Sequence, residues 1–264
     1  YLLIGSPTAI VYYQRWFDRH RGGDDVTIRD VTADWTGFSL TGPKARDVLA
    51  ELVREDISHK AFPFLSARRM TVGLADALVI RVSFTGELGY EIYTAPENQL
   101  HVLERLRAAG KAHGLRLCGM RALNALRLEK GYGSWGREYS VDYTPAEAGL
   151  ARFVRLDKGS FIGRDAAQRI LSDKPKRKLA IFAVGDGDVD PMGNEPILCD
   201  GEVVGRLTSG AYMFHVKHSG GLGYIRSDLA DASRKLEIEI LGERRPARIL
   251  DQAPYDPEGK RLRM

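Results

Sequence analysis

Hydrophobic and polar positions along this 264-residue chain fall into two regimes. Up to about residue 171, runs of period two are interleaved with stretches of helical spacing. Residues 1–4, 26–31, 35–40 and 69–73 read as strands. Residues 9–20 read as a helix whose Ile10, Tyr13, Trp16 and Phe17 share one face, and those side chains are expected in the core. Gly42-Pro43 stops a strand and starts a helix through Ala45, Val48, Leu49 and Leu52. A β-hairpin is expected from the apolar run 77–84, a glycine-bearing turn at 85–89 and a return at 90–93. Helices at about 97–109 and 120–130 follow, then a glycine- and aromatic-rich loop at 131–138 and a helix from 164 to about 171.

Past the charged stretch Ser172-Asp173-Lys174-Pro175-Lys176-Arg177-Lys178 the texture becomes short strands separated by turns. Strands are expected at 179–184, 195–198, 202–209, 221–225, 236–241 and 243–250, with turn signals at Cys199-Asp200-Gly201 and Leu241-Gly242-Glu243. The fold class is therefore α+β. Antiparallel sheets covered by helices make a central body (1–171), a linker follows (172–178), and a small C-terminal antiparallel β-barrel closes the chain (179–264). The linker charges read as a solvated hinge, with steering of an anion as the alternative.

Composition adds mostly exclusions. The apolar fraction of 44% and charged fraction of 28% are those of an ordinary soluble globular protein. A net charge of +4 from 39 basic and 35 acidic residues, without basic blocks, gives no reason to expect nucleic acid. No apolar run approaches the roughly 20 residues that span a bilayer, so no membrane is expected. Cys118 and Cys199 are far apart, which suits free thiols in a reducing compartment: cytoplasm, or the mitochondrial matrix in a eukaryote. The histidines show no metal-binding spacing, His215 and His218 read as flanking a surface turn, and no metal is expected. No Gly-x-Gly-x-x-Gly follows a strand, so flavin or nicotinamide is not expected to bind this segment through a Rossmann unit. The opening Tyr1-Leu2-Leu3-Ile4-Gly5 lacks an initiator methionine, and the body is read as an N-terminally incomplete part of a longer polypeptide.

The candidate chemistry sits between residues 81 and 164. A turn, a helix and a loop deliver carboxylates, arginines and aromatics, a set suited to a flat polar ring. Glu91 stands just past the turn and reads either as a ligand carboxylate or as a surface strand residue. Arg121 and Arg127 are six apart on one helix and point in different directions. Arg127 and Glu129 read as candidates for structural ion pairs. Tyr132 and Trp135 either cover a ring or pin their loop to the body.

Three strings, TGELGYEIY (85–93), GMRALNALRLEKGYGSWGRE (119–138) and TPAEAGLARFVRLDKGSFIGRDA (144–166), resemble the aminomethyltransferase family typified by the glycine-cleavage T-protein. Their wording is closer to the folate-binding C-terminal half of dimethylglycine and sarcosine dehydrogenases. The resemblance implies tetrahydrofolate as cofactor and one-carbon transfer from a small donor such as dimethylglycine or sarcosine. It also implies an FAD domain upstream in the same polypeptide. Glu91 matches the glutamate that grips the pterin, whose adjacent amino and ring N–H groups one carboxylate can accept together. Phe84 matches a frequent tyrosine of the folate pocket, and Arg121 an arginine that meets the folate. The family's acid–base aspartate is expected upstream of Tyr1, so no catalytic residue is assigned here and the fragment alone is expected to be inactive. The barrel is expected to close over the folate tail through the segment 205–212, with Arg206 and Tyr212, or else to carry a simple β-bulge there. The alternatives are a free-standing T-protein and a non-catalytic folate-binding module. That module's KGCYxGQE motif has a cysteine where this chain has Tyr132.

Overall fold

Alternating burial builds the first sheet. In the computed structural model, which describes residues 1–185 and 188–264, β1 (Thr36–Thr41), β2 (Ala67–Val72), β3 (Ala75–Ile80) and β4 (Gly89–Thr94) pair antiparallel in the order β1-β4-β3-β2. Ala75, Ala77 and Val79 of β3 and Tyr90 and Ile92 of β4 face the core, with Val79 in register with Ile92. Val48 and Leu49 of α2 (Ala45–Ala50) and Val102 and Leu106 of α3 (Gln99–Gly110) join the same core, as do Phe62 and Met70.

Three expectations for this half change. Residues 1–4 and 26–31 form no strand, and Leu3, Ile4, Val26 and Ile28 are exposed. Apolar alternation makes a strand only where a neighbour supplies a ladder and a face to bury, and the described sheet offers these segments neither. The helix is present as α1 (Ile10–His20), yet none of its residues is buried and Trp16 is 43% exposed, stacked on His20 at 4.0 Å. Its aromatic face is therefore not core in this structure. The hairpin forms between β3 and β4, but β3 stops at Ile80 and residues 81–88 leave the ladder. The cause is Arg81. Its N–H donates to the Ser66 carbonyl (2.9 Å), its carbonyl accepts from the Leu65 N–H (2.9 Å), and its buried guanidinium donates to the Phe62 carbonyl (2.7 Å). The tight reversal lies one connection earlier, at Gly73-Leu74 between β2 and β3, where Gly73 has φ 65°.

The second half closes a barrel. β5 (Arg177–Val184), β6 (Pro196–Cys199), β7 (Glu202–Met213), β8 (His218–Arg226), β9 (Leu236–Ile240) and β10 (Glu243–Leu250) pair antiparallel around a closed ring in the order β10-β5-β8-β7-β6-β9. All six expected strands are there. Asp200-Gly201 and Leu241-Gly242 have positive φ (50° and 86°, 52° and 84°), the conformation of type I′ hairpin turns. β5 begins inside the expected linker because Arg177 and Lys178 find backbone partners in Arg226 and Ile225. Phe182, Ile197, Leu207, Ile225 and Ile238 fill the interior.

β7 and β8 approach so closely that side chains are excluded. A Cβ on Gly221 would lie 2.3 Å from the Ser209 carbonyl oxygen, and one on Gly205 2.3 Å from that of Tyr224. The small residues of 205–212 thus admit a neighbouring strand. A register shift between Leu207 and Ser209 puts a β-bulge in this segment. Two further helices are α4 (Met120–Glu129), packed on β7, and α5 (Arg164–Ser172).

Gly221→Ala is expected to cost about 1–3 kcal/mol through the forced shift of β7, and Phe182→Ala about 3–5 kcal/mol through the cavity it leaves. Gly23→Ala, where no atom lies within 4 Å, is the near-neutral control. Urea unfolding of the three variants checks this order.

Candidate functional site

Arg127 lies on the buried face of α4, and a guanidinium there requires an anion. Glu138, from the glycine-rich loop and fully buried, supplies it at 2.8 Å. The bulge on β7 turns Thr208 and Ser209 toward this carboxylate, and both hydroxyls donate to Oε1 at 2.5 Å. The Ser134 N–H donates to Oε2 at 2.8 Å. Arg127 also donates to Asn124 Oδ1 (2.7 and 3.0 Å), the Tyr132 carbonyl (3.0 Å) and Ser209 Oγ (2.5 Å). Burial by itself would raise the Glu138 pKa, but Arg127 and the donated hydrogen bonds overcome it and hold it below the ordinary value. One pair thereby joins α4, the loop and the barrel.

The residues singled out in the sequence lie around this junction. Tyr132 stacks on Phe84, which is 37% exposed, with ring centroids 6.5 Å apart and planes 20° from parallel. That is the spacing of an aromatic pair packed on itself. Trp135 faces Tyr13 of α1 at 6.4 Å. Glu91 sits half-buried on β4, on the face away from Tyr90 and Ile92, and its Oε2 accepts from the Tyr93 hydroxyl at 2.7 Å. Burial and then this carboxylate raise the Tyr93 pKa, so the phenol stays a donor. Glu91 Oε1 has no hydrogen bond among the described residues. Arg121, in the first turn of α4, is exposed and makes no hydrogen bond or ion pair among them. The structure thus brings Phe84 and Tyr132 together and leaves Glu91, Arg121 and Trp135 on separate elements.

A cavity of about 490 Å³ lies between the glycine-rich loop and the barrel, with Tyr132, Tyr139, Arg152, Lys178 and Ile181 on its wall. Neither Arg206 nor Tyr212 lines it. Arg206 is exposed and donates to Asn194 Oδ1 (3.4 Å) and the Tyr143 hydroxyl (3.3 Å), and Tyr212 packs edge-on against Phe214. Among the described residues no group of three or more His, Cys, Asp or Glu forms a metal cluster, and no helix is long and apolar enough to cross a membrane.

Comparison with known proteins gives this geometry a family. Residues 1–158 match the GCVT N-terminal domain and residues 177–256 the glycine cleavage T-protein C-terminal barrel domain. The chain belongs to the glycine cleavage T-protein family. Among relatives, the mitochondrial dimethylglycine dehydrogenase of Mus musculus is 39% identical over 267 residues, covering all of this chain and 31% of that protein. An aminomethyltransferase of Caldanaerobacter subterraneus is 33% identical over 261 residues, covering 99% of this chain and 69% of that one. The chain thus spans under a third of the dehydrogenase. The T-protein fold recurs in the glycine cleavage system aminomethyltransferase T of Bartonella henselae, with a TM-score of 0.81 over 94% of this chain and 67% of that one, at 20% identity.

Within this T-protein fold, Glu138 is what sequence reading overlooked. The available signal was Arg127 itself, a cation between Leu126 and Leu128 that had to find an acid once its helix was packed. Its partner lies eleven residues on, at the far end of a loop no periodicity could fold.

Glu138→Ala is expected to cost about 3–5 kcal/mol, because it strands the Arg127 charge in the interior. Since the folded-state pKa of Glu138 lies below the usual 4.5, the pair's contribution is full above that value and is lost as pH falls through the depressed one. Urea unfolding between pH 7 and pH 3 should show this acid loss in the wild type and a shallower one in Glu138→Gln.

Proposed function

We propose that this chain binds tetrahydrofolate and serves one-carbon transfer from a small methylated amine, as the folate-binding portion of a longer dehydrogenase of the dimethylglycine or sarcosine kind. The carrying observation is the 39% identity to dimethylglycine dehydrogenase over the whole chain, joined to the presence of the folate-site residues Phe84, Glu91 and Arg121 that the family resemblance implies.

The residues present suit the cofactor. Tyr93 takes one lone pair of Glu91 Oε2, which leaves Oε1 and the second lone pair of Oε2 to accept from the amino and ring N–H groups of a pterin. Phe84 offers a partly exposed ring face, backed by Tyr132, and its missing hydroxyl leaves stacking without a hydrogen bond. Arg121 offers an uncommitted cation. Tetrahydrofolate supplies the nitrogens that accept the one-carbon unit, and the chain's own residues bind and orient it. The acid–base group is assigned to the polypeptide beyond this chain, as is an FAD domain that oxidises the amine. The aminomethyltransferase relative, matched over 69% of its length, favours a free-standing T-protein as the second reading.

Titrating tetrahydrofolate into the full-length protein tests the proposal. Glu91→Ala should weaken binding by roughly 1.5–3 kcal/mol, on the order of ten- to a hundredfold. Equal affinities would remove Glu91 from the site, and a wild type that binds no tetrahydrofolate would overturn the reading. A flavin absorbance band in the purified protein separates the dehydrogenase from the free-standing enzyme.

A further inference from the structure

Glu129, the last residue of α4, is 1% exposed, yet its carboxylate is spent entirely on one residue of the barrel. Oε1 accepts the His215 main-chain N–H at 2.8 Å, and Oε2 meets His215 Nδ1 at 2.5 Å. This fixes the imidazole with Nδ1–H as donor, on the turn between β7 and β8. The Glu129 carbonyl accepts the Tyr255 N–H at 3.0 Å, and the Tyr255 ring lies on His215 with centroids 4.5 Å apart. The Tyr255 hydroxyl donates to Glu87, a buried residue of the loop between β3 and β4, and Arg261 approaches the same carboxylate oxygen at 3.4 Å. Burial and the Glu87 bond push the Tyr255 hydroxyl up to about 12, so it stays a donor.

The same loop is held from its other side. Lys130 pairs with Asp256 at 3.0 Å, and its stem fills the space over Gly86, where a Cβ would lie 2.7 Å from Lys130 Cδ. The loop carries Phe84 near its start, while Glu91 beyond it is held in β4, paired with Ser39 of β1 and Ile80 of β3. The loop's ends are bonded to neighbouring segments, Arg81 to Leu65 and Ser66 and Leu88 to Gly42, but the stretch between them lies outside the β3–β4 pairing.

We infer that His215 and Tyr255 are positioning residues for the folate site: the relay Glu129–His215–Tyr255–Glu87 ties the pterin-facing loop to the barrel and sets where Phe84 stands relative to Glu91, which β1 and β3 already hold in the sheet. The inference rests on the folate reading above. It gives the barrel a part in recognition that requires none of its residues to touch the ligand. The relay uses the imidazole as a shaped donor and a ring surface, so an amide in its place should keep the Glu129 bond while losing the stack.

The test is tetrahydrofolate affinity in the full-length protein, with thermal unfolding of each variant measured alongside. Tyr255→Phe removes one oxygen, keeps the ring, and should weaken binding on the order of tenfold with little change in Tm. His215→Ala should weaken binding at least as much, and His215→Asn should recover part of that loss. The double variant His215→Ala/Tyr255→Phe should lose less than the product of the single effects, as expected of residues acting in one chain. A wild type that binds, with Tyr255→Phe and His215→Ala binding equally well, would sink the relay while leaving the folate reading intact. Losses that merely follow Tm, with no recovery in His215→Asn and fully multiplicative effects, would reduce both residues to general stability. A wild type without tetrahydrofolate binding would overturn the folate reading and the relay with it.

Discussion

The buried pair of Arg127 and Glu138 is the constraint on which the arrangement of the two halves depends. Removing two charges from water is costly, and the cost is met only when every lone pair and proton finds a partner. Here the partners come from three places: Asn124 on the helix, the backbone of Tyr132 and Ser134 in the loop, and the hydroxyls of Thr208 and Ser209 on the barrel. The helix, the loop and the barrel must therefore dock in one relative position. A purely apolar contact of the same area would tolerate sliding, because hydrophobic attraction has no direction.

The barrel meets this demand through its own irregularity. In a regular strand Thr208 and Ser209 would point to opposite faces, and only one could reach Glu138. The register shift between Leu207 and Ser209 lets both do so. Next to the bulge, Gly221 and Gly205 let β7 and β8 lie against each other without a side chain between them. Glycine is a poor strand residue, and its presence here is set by packing.

A second set of contacts, formed by the C-terminal segment, serves the loop at 81–88. That loop gives up strand pairing and is held instead by Arg81, by the Thr41–Thr85 hydroxyl pair (2.6 Å), and by Tyr255 and Lys130. A loop held by side chains from distant elements can present its Phe84 ring with more precision than its own backbone would provide.

Much of this architecture was legible in the chain itself. Period-two runs and Asp-Gly or Leu-Gly turns specified all six barrel strands, because local backbone geometry and side-chain alternation act over a few residues. Helical spacing located α2, α3 and α4 for the same reason. The order of three motifs placed the chain in its family and named Phe84, Glu91 and Arg121. Tertiary structure alone decided which apolar runs became strands. Residues 1–4 and 26–31 have the pattern but no described neighbour, whereas Arg177 and Lys178, highly charged, became strand by pairing with β8. It alone joined Arg127 to Glu138 and Glu129 to His215, since those pairings follow from how α4 packs on β7, and no sequence period encodes a contact between residues 86 apart. Local pattern fixed the elements, and the need to satisfy buried charge fixed how they met.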